Sequence, residues 1–153
     1  MIKPYFPRQE GAPPPLRIRM RRQVRFEEVD PLGMVWHGRY PGYFEDARVG
    51  LGEKYGLGYL DFQRHQVMAP IKQLVIDYHL PLRFHDAFTI EGILHWSEAA
   101  RINYEFVIRD SAERVTTTGC SVQLLLDASG QVLLVVPPFC AELRERWRQG
   151  VLT

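Results

Sequence analysis

Cysteine is scarce in this chain: 153 residues carry two, Cys120 and Cys140, with no Cys-x-x-Cys spacing. That argues against a disulfide framework and a zinc ribbon, and leaves two buried reduced thiols in a cytoplasmic protein as the expectation. Long apolar runs are missing as well. No stretch approaches the roughly 20 residues that cross a bilayer, and residues 1–15 lack the apolar centre of a secretory signal. Nor is there an excess of one charge, since 19 Lys and Arg face 18 Asp and Glu, a formal net charge of +1. Nothing in that balance recruits nucleic acid or an anionic membrane. His65, His79, His85 and His95 are scattered without ligand spacing, so no metal is expected. A phosphate-cradling Gly-rich loop and a Gly-x-Ser-x-Gly elbow are both absent, which sets aside nucleotide enzymes and serine hydrolases. No cofactor is expected either.

What is present suits a single domain. The length allows a core without staples, and 46% hydrophobic residues is ordinary for a globular chain. Pro4, Pro7 and Pro13 to Pro15 mark residues 1–15 as an extended arm, leaving 16–153 as the domain. Leu16, Ile18, Met20, Val24 and Phe26 alternate with Arg17, Arg19, Arg21, Gln23 and Arg25, a half-buried strand that Arg22 interrupts. Tyr40, Phe44, Ala47 and Leu51 then fall at helical spacing over 39–55. Pro41 is tolerated in a first turn, and Gly56 and Gly58 end the run. Gly50 and Gly52 each cost that helix about 1 kcal/mol relative to Ala, and would let a sheet approach closely. Strand-like alternation follows at Ile71–Leu80, Phe88–Trp96, Ile102–Ile108 and Thr116–Leu126. Asp127–Gly130 reads as a hairpin turn into Val132–Val136, with Pro137-Pro138 stopping the sheet and a peripheral helix at Ala141–Arg148. The class is α+β: one long central helix wrapped by a curved antiparallel sheet of five or six strands.

The chemistry concentrates between Val24 and Arg48. A carboxylate, Asp30, lies in a Gly-containing turn just before the start of a helix, where free N–H groups and the helix dipole favour negative charge. A carboxylate beside such an anion hole can attack, or direct water at, a carbonyl whose oxygen occupies the hole. Asp30 is equally suited to cap the turn before Pro31 and Gly33. Gly33 and Gly38 read as backbone devices, Met34, Val35 and Trp36 as slot lining or plain core. Glu45 either faces the site or pairs with Arg48, and Glu27 and Glu28 are strand-end charges by default.

The run Asp30-Pro31-Leu32-Gly33-Met34-Val35-Trp36-His37-Gly38-Arg39-Tyr40, continued by Phe44-Glu45-Asp46-Ala47-Arg48, resembles the signature of hotdog-fold acyl-CoA thioesterases, the 4-hydroxybenzoyl-CoA thioesterase family. The resemblance covers roughly residues 17 to 140. It implies the hotdog fold and hydrolysis of an acyl-CoA thioester, with Asp30 as base or nucleophile. The His37 N–H would be the oxyanion donor, with its imidazole as a further candidate. Gly33, Val35, Trp36, Gly38, Tyr40 and Glu45 would lie around the substrate, and Arg39, Arg64, Arg83 and Arg101 are available for the CoA phosphates. It also implies a homodimer or homotetramer with the site where subunits meet. Two alternatives remain: a hydratase using His37 and Glu45, and a non-catalytic acyl-binding scaffold.

Overall fold

The computed structural model describes residues 3–152, so Met1, Ile2 and Thr153 lie outside it. The strands are β1 Leu16–Gln23, β2 Ile71–Tyr78, β3 Ala87–His95, β4 Arg101–Asp110 and β5 Val115–Leu124. The helices are α1 Tyr40–Tyr55, α2 Tyr59–Arg64 and α3 Pro138–Arg148, with 3-10 turns at Phe26–Glu28 and His37–Arg39. One antiparallel sheet has the order β1-β3-β4-β5-β2. The architecture is therefore α+β with five strands against a helix. Three helices occur among the described residues, the central and terminal ones expected and the short α2 besides, and α1 is the longest at 16 residues.

α1 packs through the face its spacing dictates. Phe44, Ala47 and Leu51 are buried, and Phe44 stacks on Phe106 of β4 with ring centres 4.5 Å apart. The helix ends at Gly56, whose φ of +80° suits glycine and whose N–H bonds the Gly52 carbonyl. Gly50 does face β1, against Ile18 and Met20, but Gly52 lies against the Leu57 carbonyl of the following turn rather than the sheet. Arg22, the misfit in β1, pairs with Asp46 on α1.

Three local expectations are corrected. Val132–Val136 is no strand: a single bridge joins Val132 to Leu126, and Leu134 is 90% exposed. The turn at Asp127 does form, its Oδ1 accepting the Ser129 and Gln131 N–H groups. The returning chain, however, finds β5 already flanked by β4 and β2, so no edge is left to pair with. β1 stops at Gln23, and Phe26 stands 78% exposed on a 3-10 turn. The terminal helix is not peripheral either. Cys140, Leu143 and Trp147 of α3 are buried, with Trp147 edge-on to Trp96 at 5.1 Å. The arm is tied to the same helix, because the Trp147 Nε1–H donates to the Pro14 carbonyl at 2.7 Å.

The central strands are covered on both faces. On the face away from α1, Ile93, Glu105, Val107, Cys120 and Val122 are buried within the single chain. Part of the cover is the arm: Tyr5 hydrogen-bonds Asp77 of β2 and Thr118 of β5, and the Phe6 ring lies 5.3 Å from His95. Further out, Arg17 reaches Glu91 and Arg19 reaches Glu113. Deleting residues 1–12 is expected to remove about 2–4 kcal/mol of burial, lowering the melting temperature by roughly 5–15 °C. Thermal melts of full-length and truncated protein check this, and equal midpoints would contradict it. β2, by contrast, is an edge strand with Ile71, Leu74 and Tyr78 substantially exposed.

Candidate active site

Asp30 opens a tight loop. Its N–H donates to the Met34 carbonyl at 2.8 Å, and its own carbonyl takes the Gly33 N–H at 2.9 Å. Gly33 sits at φ +77°, which the loop reserves for glycine. Asp30 Oδ1 accepts the N–H groups of Leu32 at 2.9 Å and Met34 at 3.3 Å. The turn-capping reading of Asp30 is thus physically present. It occupies one carboxylate oxygen only, and Oδ2 has no hydrogen-bond partner among the described residues. The side chain is half-buried.

The loop is pinned before it becomes a helix. The Val35 N–H donates to the Leu82 carbonyl at 2.8 Å and the Trp36 N–H to the Glu28 carbonyl at 2.9 Å. The Trp36 carbonyl accepts the Arg39 N–H at 2.9 Å, the first bond of the 3-10 turn that runs into α1. The N–H groups of His37 and Gly38, the next donors, have no partner among the described residues. Free donors of this kind at a helix start bind anionic or developing-anion oxygens. The Trp36 indole covers Gly38 so closely that a Cβ there would come within 2.3 Å of the ring. The Tyr78 hydroxyl, from β2, donates to the His37 carbonyl at 2.8 Å.

The other sequence candidates divide. Val35 and Tyr40 are buried in the core; Trp36, Gly38 and His37 are exposed. Glu28 caps its own turn, its Oε1 taking the Arg25 N–H at 2.8 Å, and Glu27 lies 3.8 Å from Arg25 at the surface. Tyr43 lies beside Glu28 with its hydroxyl buried and unpartnered, and burial together with that carboxylate pushes its phenol well above the ordinary range. Glu45 is exposed and forms no ion pair with Arg48 among the described residues; the acid of α1 that is paired is Asp46. Of the arginines, Arg39 donates to the Glu27 carbonyl at 2.9 Å and Arg64 lies 3.7 Å from Asp61, while Arg83 and Arg101 are exposed. No three His, Cys, Asp or Glu side chains converge as metal ligands among the described residues.

Two cavities flank α1 and share Glu45 and Val49. One, of about 530 Å³, lies between α1, α2 and the Gln66–Ala69 segment that leads into β2, over Tyr104 and Gln123. The other, of about 570 Å³, lies toward β1 and includes Glu28, Gly38, Arg39 and Tyr43. Neither lining includes Asp30 or His37, so the loop stands at an open surface in the single chain. Tyr78 was not marked as a site residue by the sequence. The available signal was its register with Leu74 and Ile76, which turns it toward the α1 side of β2.

Comparison with known proteins gives this geometry a family. A model described as the thioesterase-like superfamily matches residues 24–146. The Bacillus subtilis protein YneP, named as a candidate acyl-CoA thioesterase, is 24% identical over 105 residues, 69% of this chain and 76% of that protein. The DHNA-CoA thioesterase from Staphylococcus aureus superposes with a TM-score of 0.76 at 20% identity, covering 87% of this chain and 91% of that one. SAV2348 of the same organism, solved in complex with CoA, superposes at 0.77 and 12% identity, over 90% and 87% of the two chains. The structural likenesses establish the hotdog fold. No helix among the described residues is long and apolar enough to cross a membrane. The chain belongs to the thioesterase-like superfamily, and its reaction class is thioester hydrolysis.

Proposed function

We propose that the chain is a cytoplasmic acyl-CoA thioesterase of the 4-hydroxybenzoyl-CoA thioesterase type, acting as a homodimer or larger homo-oligomer. The observation that carries the reading is the loop itself: one end holds a carboxylate with a free oxygen, the other presents two free N–H groups at a helix start. In this reading the thioester oxygen lies at the His37 and Gly38 N–H groups. Such a donor is commonly worth about 3 kcal/mol of barrier once negative charge develops on the oxygen. Asp30 Oδ2 then either takes a proton from an attacking water or attacks the carbonyl carbon itself. The first route gives the acid directly. The second gives a mixed anhydride that water cleaves, restoring the carboxylate. In both, the C–S bond breaks and CoA leaves as thiolate, to be protonated by solvent or the His37 imidazole.

The second subunit follows from the open surface of the loop and the unpaired edge of β2. Antiparallel pairing of two β2 edges about a two-fold axis sets the Ile71 end of one strand beside the partner's Tyr78. That brings the cavity beside α2 toward the partner's helix-start loop, where it can receive the acyl group. It also covers Ile71, Leu74 and Met68, which are exposed in one chain.

The test is release of free CoA from acyl-CoAs of short, long, benzoyl and phenylacetyl type, with an enoyl-CoA alongside. Thiol release from at least one saturated or aromatic thioester is expected. Hydration of the enoyl-CoA without thiol release would move the assignment to the hydratase, and saturable binding without either reaction to the scaffold. Light scattering is expected to give at least twice the chain mass.

A further inference from the structure

We infer that Tyr78 is a positioning residue for thioester hydrolysis, clamping the His37 carbonyl so that the helix-start N–H groups keep their aim at the thioester oxygen. The inference rests on the reading above and adds to it a side chain that comes from a different element.

The clamp answers a weakness built into the helix start. A helical carbonyl takes its α-type bond from the N–H four residues on. For His37 that residue is Pro41, which has no N–H to give. The segment is also a 3-10 turn, the tighter form that helices adopt at their ends, whose internal hydrogen bonds are less well aligned. Left to itself, the His37–Gly38 peptide plane would be held only from within a short turn. The Tyr78 hydroxyl supplies a donor from outside, 2.8 Å from the His37 oxygen.

The geometry of the peptide bond turns that contact into an aiming device. In a trans peptide the carbonyl and the N–H point in opposite directions. Fixing the His37 carbonyl therefore fixes the Gly38 N–H, as the Arg39 N–H bond to the Trp36 carbonyl fixes the His37 N–H. The two planes that carry the free donors are thus held from two elements, the helix start and β2.

Tyr78 is itself held in place. Its ring meets that of Tyr40 edge-on with centres 5.2 Å apart, and Tyr40 is buried at the start of α1. Partial burial pushes the Tyr78 phenol above its ordinary range, so it remains a protonated donor at neutral pH. The strand that carries it pairs with β5 through Thr117. The donors are thereby referenced to the sheet as well as to their own helix.

The experiment compares wild type, Tyr78→Phe and Asp30→Asn by steady-state CoA release, thermal melting and light scattering. Phenylalanine keeps the ring on Tyr40 and removes only the hydroxyl. The expected result is a kcat about tenfold lower in Tyr78→Phe, with KM within twofold, the same mass and an unchanged melting temperature. A kcat within twofold of wild type overturns the inference. So does a raised KM at unchanged kcat, which would make Tyr78 a binding residue. A changed mass with the activity loss would make it an interface residue, and overturns the inference too. The thioesterase reading is judged separately by Asp30→Asn. Loss of activity there with a normal Tyr78→Phe removes this inference alone, whereas an active Asp30→Asn removes the reading and the inference together.

Discussion

Asp30→Asn is expected to lower the turnover of acyl-CoA by about 10³- to 10⁵-fold while leaving the fold in place, the range seen when a group acting directly on the reacting atoms is removed. The two readings of Asp30 predict different results for this substitution. An asparagine keeps a carbonyl oxygen where Asp30 Oδ1 accepts the Leu32 and Met34 N–H groups, so the turn survives. What disappears is the charge and the basicity of the second oxygen. A carboxylate that only caps the loop would lose little by the exchange, about 1 kcal/mol of stability and no turnover. A melting temperature within about 3 °C of wild type is therefore expected beside the collapse of kcat.

Gly119→Ala is expected to cost more than about 3 kcal/mol, and Gly119→Val to prevent folding. A Cβ at Gly119 would lie 2.4 Å from the Phe44 ring and 2.5 Å from the Val75 carbonyl oxygen. Neither neighbour has room to yield. Phe44 is buried and stacked on Phe106, and Val75 belongs to the β2 ladder that pairs with β5. At about 2–4 °C per kcal/mol for a chain of this size, the melting temperature of Gly119→Ala should fall by at least roughly 6–12 °C. Any relief requires α1 to shift away from the sheet, which would move the helix start that carries the donors. Calorimetry checks the midpoint, and a Gly119→Ala protein melting with wild type would show that α1 does not seat as described.

The sequence displayed what is local and periodic. The turn at Asp30, the helix from Tyr40 and the four strands from Ile71 onward each carry their own pattern within a dozen residues, and the structure has them. The same local reading failed where an outcome depends on distant chain. Val132–Val136 looks like a strand, yet β2 and β4 had taken both sides of β5. α3 looks peripheral until Trp96 and the Pro14 carbonyl arrive to bury Trp147. Glu45 and Arg48 are one turn apart and suggest a pair, but the ion pair on α1 joins Asp46 to Arg22 of β1. α2, six residues long, offers too few turns for a periodic signal.

The site divides along the same line. Asp30, Gly33 and the helix-start donors all lie in one continuous loop, so their spacing was visible before any fold was known. Leu82 and Tyr78, which hold that loop, are separated from it by more than a helix and a strand. No pattern inside the loop points to them. Their partnership exists only once β2 and the segment after it lie beside α1.

The most direct test of the account is the rate of CoA release by wild type and Asp30→Asn on the most reactive acyl-CoA, with both proteins shown to have the same mass and melting temperature. The account predicts measurable turnover by wild type and a loss of at least about 10³-fold in the variant. Equal rates from two equally folded proteins would contradict it.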